Sequence, residues 1–327
     1  MPEPTVPGAR RRTVTHDDVE LSVLDAGEGF PVVLAHGFPE LAYSWRHQIP
    51  ALAAAGNRVL APDQRGYGRS TRPEAIEDYD VTHLAGDLLA LLDDIGEERA
   101  VFVGHDWGSI VVWHLALTAP ERVAGVVGMS VPFIPRGPLP TTQLLRQVAG
   151  DSFFYMLYFQ EPGVADADLG RDPADTMARM LAGLTLVDAA GGDAGSAMAD
   201  DGRGFVERLP RPDGLPDWLS QEELDRYVDE FTRTGFTGGL NWYRNLDRNW
   251  ELTEGLAGAK VEVPALFIGG AADPVLLFTP PAVMDGWLSD DRGRVLVDGA
   301  GHWVQQEKPD EVNAALLGFV DAVRGGS

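Results

Sequence analysis

The sequence predicts an α/β protein in which a mostly parallel, doubly wound sheet is interrupted by an inserted helical cap. Three observations carry this prediction. Short apolar runs rich in β-branched residues alternate with amphipathic segments, the order typical of an α/β chain. The apolar runs are nearly continuous, which favours parallel strands covered on both faces. The alternation stops after Ser130 and resumes near Val263, and the residues between carry helical signals.

Six short apolar runs are the predicted buried strands. Two of the segments between or after them, 81–96 and 311–323, have apolar residues at helical spacing and predict amphipathic helices. The strands are distinguished from these helices by their short length and continuous hydrophobicity. In chain order, the predicted strands are 31–37, 58–63, 100–106, 123–130, 263–270 and 294–301.

The long interval without a parallel strand predicts the domain organisation. Residues 135–254 are expected to form the helical cap, inserted between two parts of the core at 1–134 and 255–327. Within the cap, Ser220 and Glu223 stand in capping-box spacing, which predicts the start of a helix.

Composition excludes several classes of function. The chain has 327 residues, with 50 acidic against 26 basic side chains and a formal net charge of −24. Such an acidic protein is a poor partner for nucleic acid or anionic membranes, because phosphate binding needs a basic face. There are no cysteines, so no thiol carries catalysis or binds metal. Since no apolar stretch predicts a signal peptide or a membrane span, we expect a cytoplasmic protein. We also expect this protein to be a monomer or a homodimer.

The stretch "GHDWG", residues 104–108, follows a predicted buried strand and has the pattern of a nucleophile elbow. In this pattern, a nucleophile stands between two small residues on the sharp turn from a strand into a helix. The residue most often found at the centre is serine, but here it is Asp106. The sequence therefore predicts a carboxylate nucleophile.

The partners of such a nucleophile follow it in the order acid and then histidine. Of seven histidines, His302 stands after a late strand in the glycine-flanked turn "DGAGHW". Asp273 leaves the end of the preceding strand in "LFIGGAADP". An alternative acid position, just after the strand 123–130, holds Ser-Val-Pro and cannot serve. The predicted catalytic set is therefore Asp106, Asp273 and His302.

Two backbone amides are candidates for an oxyanion hole. The stretch "HGFPE" follows another strand, and Gly37 permits a sharp turn there. The N–H of Phe38 and that of Trp107, directly after the nucleophile, could hold a developing negative charge. We also expect the side chains of Phe38, Pro39 and Trp107 to line the substrate pocket.

A carboxylate nucleophile indicates what kind of carbon is attacked. Aspartate, with an ordinary pKa of about 3.9, is ionised at neutral pH and needs no base for its attack. It suits a saturated, polarised carbon, and the product is an alkyl ester that water activated by a histidine can cleave. A carbon–halogen bond and an epoxide both fit this chemistry. An epoxide also calls for an acid near its oxygen, and the cap offers four tyrosines, among which spacing alone does not choose: Tyr155, Tyr158, Tyr227 and Tyr243.

The chain resembles the soluble-type epoxide hydrolases, which have the α/β-hydrolase fold. The resemblance runs along nearly the whole chain and rests on motifs in the family's order: "HGFPE" with "SWRHQIP", "DQRGYGRS", "GHDWG", "YFQEPG", "NWYRN" and "GHWVQQEKP". It implies that two cap tyrosines, Tyr155 and Tyr243, bind the epoxide oxygen and line the pocket. It also implies a cis peptide between Phe38 and Pro39. The main departure is the Gly/Ala/Asp-rich stretch 188–204, which predicts a mobile loop.

The resemblance implies a two-step conversion of a small hydrophobic epoxide and water to a vicinal diol, without metal or cofactor. Asp106 attacks an epoxide carbon, and His302, oriented by Asp273, activates the water that cleaves the resulting ester. Two alternatives remain open. A haloalkane or haloacid dehalogenase would share the same Asp-His-Asp set, although the paired tyrosines count against it. A non-catalytic ligand-binding protein on a hydrolase scaffold is disfavoured because every catalytic position is intact.

Overall fold

The computed structural model of the chain describes residues 6–183 and 201–326. Within the described part of the chain, one compact unit contains residues up to 72, residues 82–135 and residues from 258 onward. A second unit contains residues 73–81 together with the described residues between 136 and 257. The segment 73–81, which the sequence analysis places in the core, thus groups with the insertion. The assignment of the insertion as a cap stays a prediction.

Eight strands form one sheet in the first unit, in the order β1-β2-β4-β3-β5-β6-β7-β8. The pairs β1/β2 and β2/β4 are antiparallel, and every other pair is parallel. The predicted mostly parallel sheet is therefore confirmed. The strands are β1 Ala9–His16, β2 Val19–Ala26, β3 Phe30–Ala35, β4 Asn57–Asp63, β5 Ala100–His105, β6 Val123–Met129, β7 Val261–Gly270 and β8 Leu288–Val297.

Helices of the described residues connect and cover these strands or build the second unit. The α-helices are α1 Gln48–Ala54, α2 Val81–Ile95, α3 Trp107–Thr118, α4 Thr141–Ala149, α5 Tyr155–Tyr158, α6 Val164–Gly170, α7 Pro173–Ala178, α8 Phe205–Arg208, α9 Gln221–Thr234, α10 Thr237–Arg244, α11 Leu246–Leu252, α12 Val275–Phe278, α13 Val304–Glu307 and α14 Pro309–Gly325. Shorter 3-10 turns lie at Ala42–Trp45, Ile76–Tyr79, Pro120–Arg122, Glu254–Leu256 and Pro281–Met284, and a π-helical turn at Arg179–Gly183. In residues 6–183 and 201–326, no helix is both long and apolar enough to span a membrane.

The central strands are buried because both of their faces are covered. Every residue of β5 and of β6 is buried, as their continuous apolar sequences predict. One face of the sheet packs against α14 in a cluster that includes Val103, Val127 and Leu316. This packing holds the carboxyl ends of neighbouring parallel strands at one edge, where the loops after β3, β5, β7 and β8 begin.

Two features of the sheet differ from the sequence prediction. The strands β1 and β2 were not predicted, because β1 has the polar, half-exposed sequence of an edge hairpin. The predicted buried strand 294–301 is wrong in its bounds and its burial. The observed β8 ends at Val297, where the chain turns through Gly299 at a φ of 67°, and it is a largely exposed edge strand.

Predicted local signals in the insertion have different outcomes. The helix start at Ser220 is confirmed, because its side chain and that of Glu223 cap each other's backbone N–H groups ahead of α9. Residues 188–200 of the predicted loop 188–204 lie outside the described residues. Residues 201–204 have no helix or strand.

Candidate active site

Asp106 occupies the turn between β5 and α3, at φ 52° and ψ −118°. A non-glycine residue is strained in this region, so the surrounding structure must hold it there. The neighbouring glycines permit the turn. A Cβ on Gly104 would lie 2.1 Å from the carbonyl oxygen of Gly108, and one on Gly108 would lie 2.0 Å from that of Ala35. The side chain of Asp106 keeps 14% of its surface exposed, which leaves the carboxylate accessible for attack on a substrate.

Asp273 and His302 come together at the ends of β7 and β8. His302 Nδ1 lies 3.2 Å from Oδ1 and 3.1 Å from Oδ2 of Asp273, so the ring donates to the carboxylate. On the other side of the ring, Nε2 lies 3.7 Å from Oδ2 of Asp106. The structure thus groups the three predicted catalytic residues. Asp273 is further held by the N–H of Val275, which donates to Oδ1 at 2.9 Å.

Neighbouring carboxylates control the charge of the imidazole. Burial lowers the pKa of His302, but the charges of Asp273, Asp106 and Glu40 outweigh it and raise the pKa to about 9. Burial raises the pKa of Asp273, and the facing imidazole more than reverses this, so the pKa lies below its ordinary value. Before reaction, therefore, His302 is an imidazolium between two carboxylates at neutral pH.

The pKa of Asp106 is higher than the sequence alone predicts. Burial raises it, while the charges of His302 and His105 and the N–H groups of Phe38 and Trp107 act in the opposite direction. These donors stabilise the ionised form that a nucleophile requires. Their presence offsets part of the cost of burying the carboxylate.

The two predicted oxyanion amides contact the carboxylate of Asp106 directly. The N–H of Phe38 donates to Oδ1 of Asp106 at 2.9 Å, and that of Trp107 also donates to this carboxylate. The Phe38–Pro39 peptide is cis, as the resemblance implies. The side chains of Phe38, Pro39 and Trp107 are buried, and their predicted place in the pocket stays a prediction.

A buried polar network supports these loops, and the sequence analysis did not assign it. Glu40 Oε2 accepts hydrogen bonds from the N–H of Gly37 at 2.8 Å and from Nδ1 of His105 at 2.7 Å. The other ring nitrogen of His105 lies 2.8 Å from the carbonyl oxygen of His302. The network therefore links the loop of Phe38, the strand before Asp106 and the loop of His302.

The second carboxylate oxygen of Glu40 is also bonded. It accepts from Nε2 of Gln305 at 2.9 Å and from Nε2 of Gln306 at 3.2 Å. Burial raises the pKa of Glu40, but His105 and the other donors lower it to about 2. The signal in the sequence was the presence of Glu40, His105 and these glutamines in the same motifs as the predicted site residues.

The second unit brings the two predicted tyrosines together. The ring centroids of Tyr155, in α5, and Tyr243, in α10, are 6.0 Å apart. One carboxamide joins the two helices, because Nε2 of Gln160 donates to the carbonyl oxygens of Met156 at 2.8 Å and Tyr243 at 2.9 Å. Sequence reasoning did not identify Gln160, although it lies in the motif "YFQEPG".

Tyr158 has a different environment from Tyr155. Its hydroxyl donates to Oδ2 of the buried Asp168 at 3.3 Å. Burial and the Asp168 charge raise the pKa of this phenol. The structure therefore distinguishes the environment of Tyr158 from that of Tyr155, which helical spacing did not.

Among residues 6–183 and 201–326, no group of three or more His, Asp or Glu side chains is arranged to hold a metal ion.

Known proteins are similar to this chain over most of its length. Residues 31–309 match the family model of the α/β-hydrolase fold. Epoxide hydrolase A of Mycobacterium tuberculosis is 61% identical over 314 residues, which cover 94% of this chain and 96% of that protein. Epoxide hydrolase 2 of Siraitia grosvenorii is 39% identical over 316 residues, covering 94% and 97%.

Solved structures give the same result. The crystal structure of epoxide hydrolase A from Mycobacterium thermoresistibile superposes with a TM-score of 0.92 at 60% identity, covering 96% of this chain and 98% of that one. An epoxide hydrolase from an endophytic Streptomyces superposes with a TM-score of 0.94 at 41% identity, covering 98% and 97%. The chain therefore belongs to the α/β-hydrolase fold family and, within it, to the epoxide hydrolases.

Proposed function

We propose that this protein converts an epoxide and water to a vicinal diol through a covalent ester of Asp106. The observation that carries the proposal is the surroundings of that carboxylate. Two amides donate to it, and an imidazole backed by Asp273 lies 3.7 Å away. The names of the related epoxide hydrolases support the substrate class. The acidic chain and the apolar residues around Asp106 favour a neutral, hydrophobic epoxide.

In the first step, a carboxylate oxygen of Asp106 bonds to one epoxide carbon and the carbon–oxygen bond of the ring breaks. The leaving oxygen is an alkoxide, a strong base. The phenols of Tyr155 and Tyr243 are the proposed hydrogen-bond donors to it, since a phenol with a pKa of about 10 is neutral at pH 7. The alkoxide ends this step as a hydroxyl.

Ester formation also changes His302. Asp106 loses its charge on alkylation, so one of the carboxylates that raise the pKa of His302 is removed. The imidazolium can then release a proton, which balances the proton gained by the alkoxide. The neutral ring becomes a base at the stage where one is needed.

In the second step, His302 takes a proton from water and the oxygen of that water attacks the ester carbonyl of Asp106. The N–H groups of Phe38 and Trp107 hold the oxyanion of the tetrahedral intermediate. On collapse, the leaving alkoxide takes the proton of the new carboxyl group, which releases the diol and restores the carboxylate beside an imidazolium. Loss of one oxyanion donor typically slows such a step by about 10²–10³.

Single turnover in ¹⁸O-labelled water with an aryl epoxide tests this mechanism. The label should enter the Asp106 carboxylate first, because water attacks the carbonyl carbon and the diol retains an enzyme oxygen. His302→Gln should accumulate an adduct at Asp106, and Asp106→Ala should form none. Label that enters the diol first, or an adduct at another residue, would contradict the proposal.

The same assay separates the alternatives. A dehalogenase releases halide from a haloalkane or haloacid and leaves the epoxide intact, whereas a binding protein does neither. Tyr155→Phe should slow ester formation. Tyr158→Phe is the matched control, because that hydroxyl is bonded to Asp168, and it should have a much smaller effect.

A further inference from the structure

Glu307 lies at the end of α13, five residues after His302, and turns its carboxylate back towards the catalytic loop. Its Oε2 accepts from the N–H of Gly301 at 2.8 Å, and its Oε1 accepts from the N–H of Trp303 at 2.9 Å. These two amides lie on either side of His302 in the chain. One carboxylate therefore binds the backbone before and after the histidine.

Glu307 holds a segment whose carbonyl oxygens are bonded to other parts of the fold. This segment joins β8 to α13 without regular structure, and Gly299 in it adopts a left-handed φ of 67°. The carbonyl oxygen of His302 is held by the hydroxyl of Ser130 at 2.8 Å and by His105 at 2.8 Å. Glu307 supplies the bonds to the amides on both sides, so the backbone from which the imidazole projects is held from two directions.

The charge of Glu307, as well as the shape of its side chain, suits the two hydrogen bonds that it accepts. A carboxylate accepts two hydrogen bonds from amides without presenting a donor, and bonds to an ionised acceptor are about twice as strong as neutral ones. Burial raises the pKa of Glu307, while the two amides and the charge of His302 act against this. An amide side chain at this position would keep one acceptor and set an N–H₂ group against a backbone N–H.

We infer that Glu307 is a positioning residue that fixes the backbone on both sides of His302 and so sets the place of the imidazole for the second step. The inference rests on the proposed function, in which His302 acts as base on the ester. The carboxylate of Asp106 is held separately, by Phe38 and Trp107. Loss of Glu307 should therefore slow ester hydrolysis and leave ester formation nearly unchanged.

Rapid-quench kinetics with an aryl epoxide measure both steps, with the Asp106 peptide followed by mass spectrometry. Glu307→Ala should slow ester decay by about 10²-fold, the cost typical of a misplaced catalytic group. Glu307→Gln should have a smaller effect in the same direction. Both variants should accumulate ester in the steady state, and the burst amplitude gives the fraction of folded, reactive protein.

Glu311→Gln is the matched control, because Glu311 is an exposed glutamate in the first turn of α14. It should leave both rates unchanged. A purely structural role for Glu307 would lower the melting temperature and the burst amplitude without changing the ratio of the two rates. Equal slowing of both steps, or an unchanged ratio in Glu307→Gln, would overturn the inference.

The same experiment separates the inference from the function on which it rests. An adduct at Asp106 in His302→Gln supports the two-step reaction whatever the Glu307 variants do. Absence of that adduct contradicts the reaction itself. An adduct in His302→Gln combined with an unchanged ratio in the Glu307 variants rejects the positioning role alone.

Discussion

The carboxylate of Asp106 is subject to two opposing influences. From the sequence alone, Asp106 is expected to have an ordinary pKa and to be ionised at neutral pH. In the folded chain, burial raises its pKa, and the imidazole of His302 and two backbone amides limit that rise. A nucleophile that is partly desolvated yet still ionised is more reactive than one fully hydrated, so the same burial that raises the pKa also favours attack.

The raised pKa predicts the acid limb of the alkylation step. In the proposed mechanism the reactive form is the carboxylate, so the rate of ester formation should fall as pH drops through the pKa of Asp106 in the folded protein. Because that pKa is raised, the midpoint should lie above the ordinary value of 3.8. Single-turnover ester formation between pH 3 and pH 8 measures it.

Circular dichroism at each pH serves as the control, because it separates loss of the nucleophile from acid unfolding. A midpoint below 3.8 in protein that is still folded would contradict the assigned environment of Asp106.

At the scale of elements, the loops after three parallel strands are joined by one buried carboxylate. Glu40 follows β3, His105 ends β5, and Gln305 and Gln306 lie in α13 beyond β8. Parallel strands place their carboxyl ends at one edge of the sheet, which brings these loops within reach of one another. The buried charge is tolerated because its hydrogen-bonding capacity is filled.

Glu40→Gln should destabilise the protein at neutral pH. Removing one partner from a buried charged pair typically costs about 3–5 kcal/mol, since the remaining groups lose their bonds without regaining water. The pKa of Glu40 is lowered to about 2, so its stabilising contribution is fully present above the ordinary value of 4.5. That contribution is lost as pH falls from 4.5 through 2.

Urea unfolding at pH 7, and again at pH 3.5 or below, measures the difference in free energy of unfolding between the wild type and Glu40→Gln. This difference should be smaller in acid. Glu311→Gln, at an exposed site, is the control and should show little change at either pH. If the two proteins differed equally in free energy of unfolding at both pH values, the shape of the Glu40 side chain, rather than its charge, would explain the lost stability.

A second element-scale contact concerns the tyrosines. Gln160 ties α5 to α10 through two carbonyl oxygens, one next to Tyr155 and one belonging to Tyr243. Gln160→Ala should slow ester formation by about tenfold, corresponding to about 1.4 kcal/mol of lost positioning. Ester hydrolysis should not change, because it does not use the phenols.

Gln160→Glu refines the test of that contact. Glutamate has a similar size but cannot donate to two carbonyls when ionised, so it should behave like the alanine variant. Parallel measurement of ester formation and decay checks this prediction. Equal slowing of the two steps would argue against a role confined to the tyrosines.

At the scale of the whole molecule, the second unit is assembled from segments that are distant in the chain. Residues 73–81 join it through three contacts with the end of the insertion. Asn245 Nδ2 donates to the carbonyl oxygen of Ile76 at 2.6 Å, Asn249 Oδ1 accepts from the N–H of Val81 at 2.8 Å, and Arg248 pairs with Asp80 at 2.9 Å. Such partners carry no local signal, so the sequence analysis placed 73–81 in the core.

Sequence by itself determined the class of sheet and the chain order of the predicted catalytic residues. Continuous apolar runs predict buried parallel strands because a strand covered on both faces needs no polar side. The order Asp106, Asp273, His302 could be read because each follows a strand, and the ends of parallel strands meet at one edge. The sequence also predicts the capping box at Ser220, since both of its partners lie within one helical turn.

Tertiary structure alone decided which polar groups meet. Glu40 bonds to His105 across 65 positions and to Gln305 across 265, and no local pattern encodes a partner so distant. The same holds for the pKa of His302, which depends on carboxylates that follow three other strands. Glu307 is close to His302 in sequence, yet the direction of its carboxylate follows from the turn between β8 and α13. Local propensities select elements, whereas hydrogen bonds and charges act through space, and only the folded chain defines those distances.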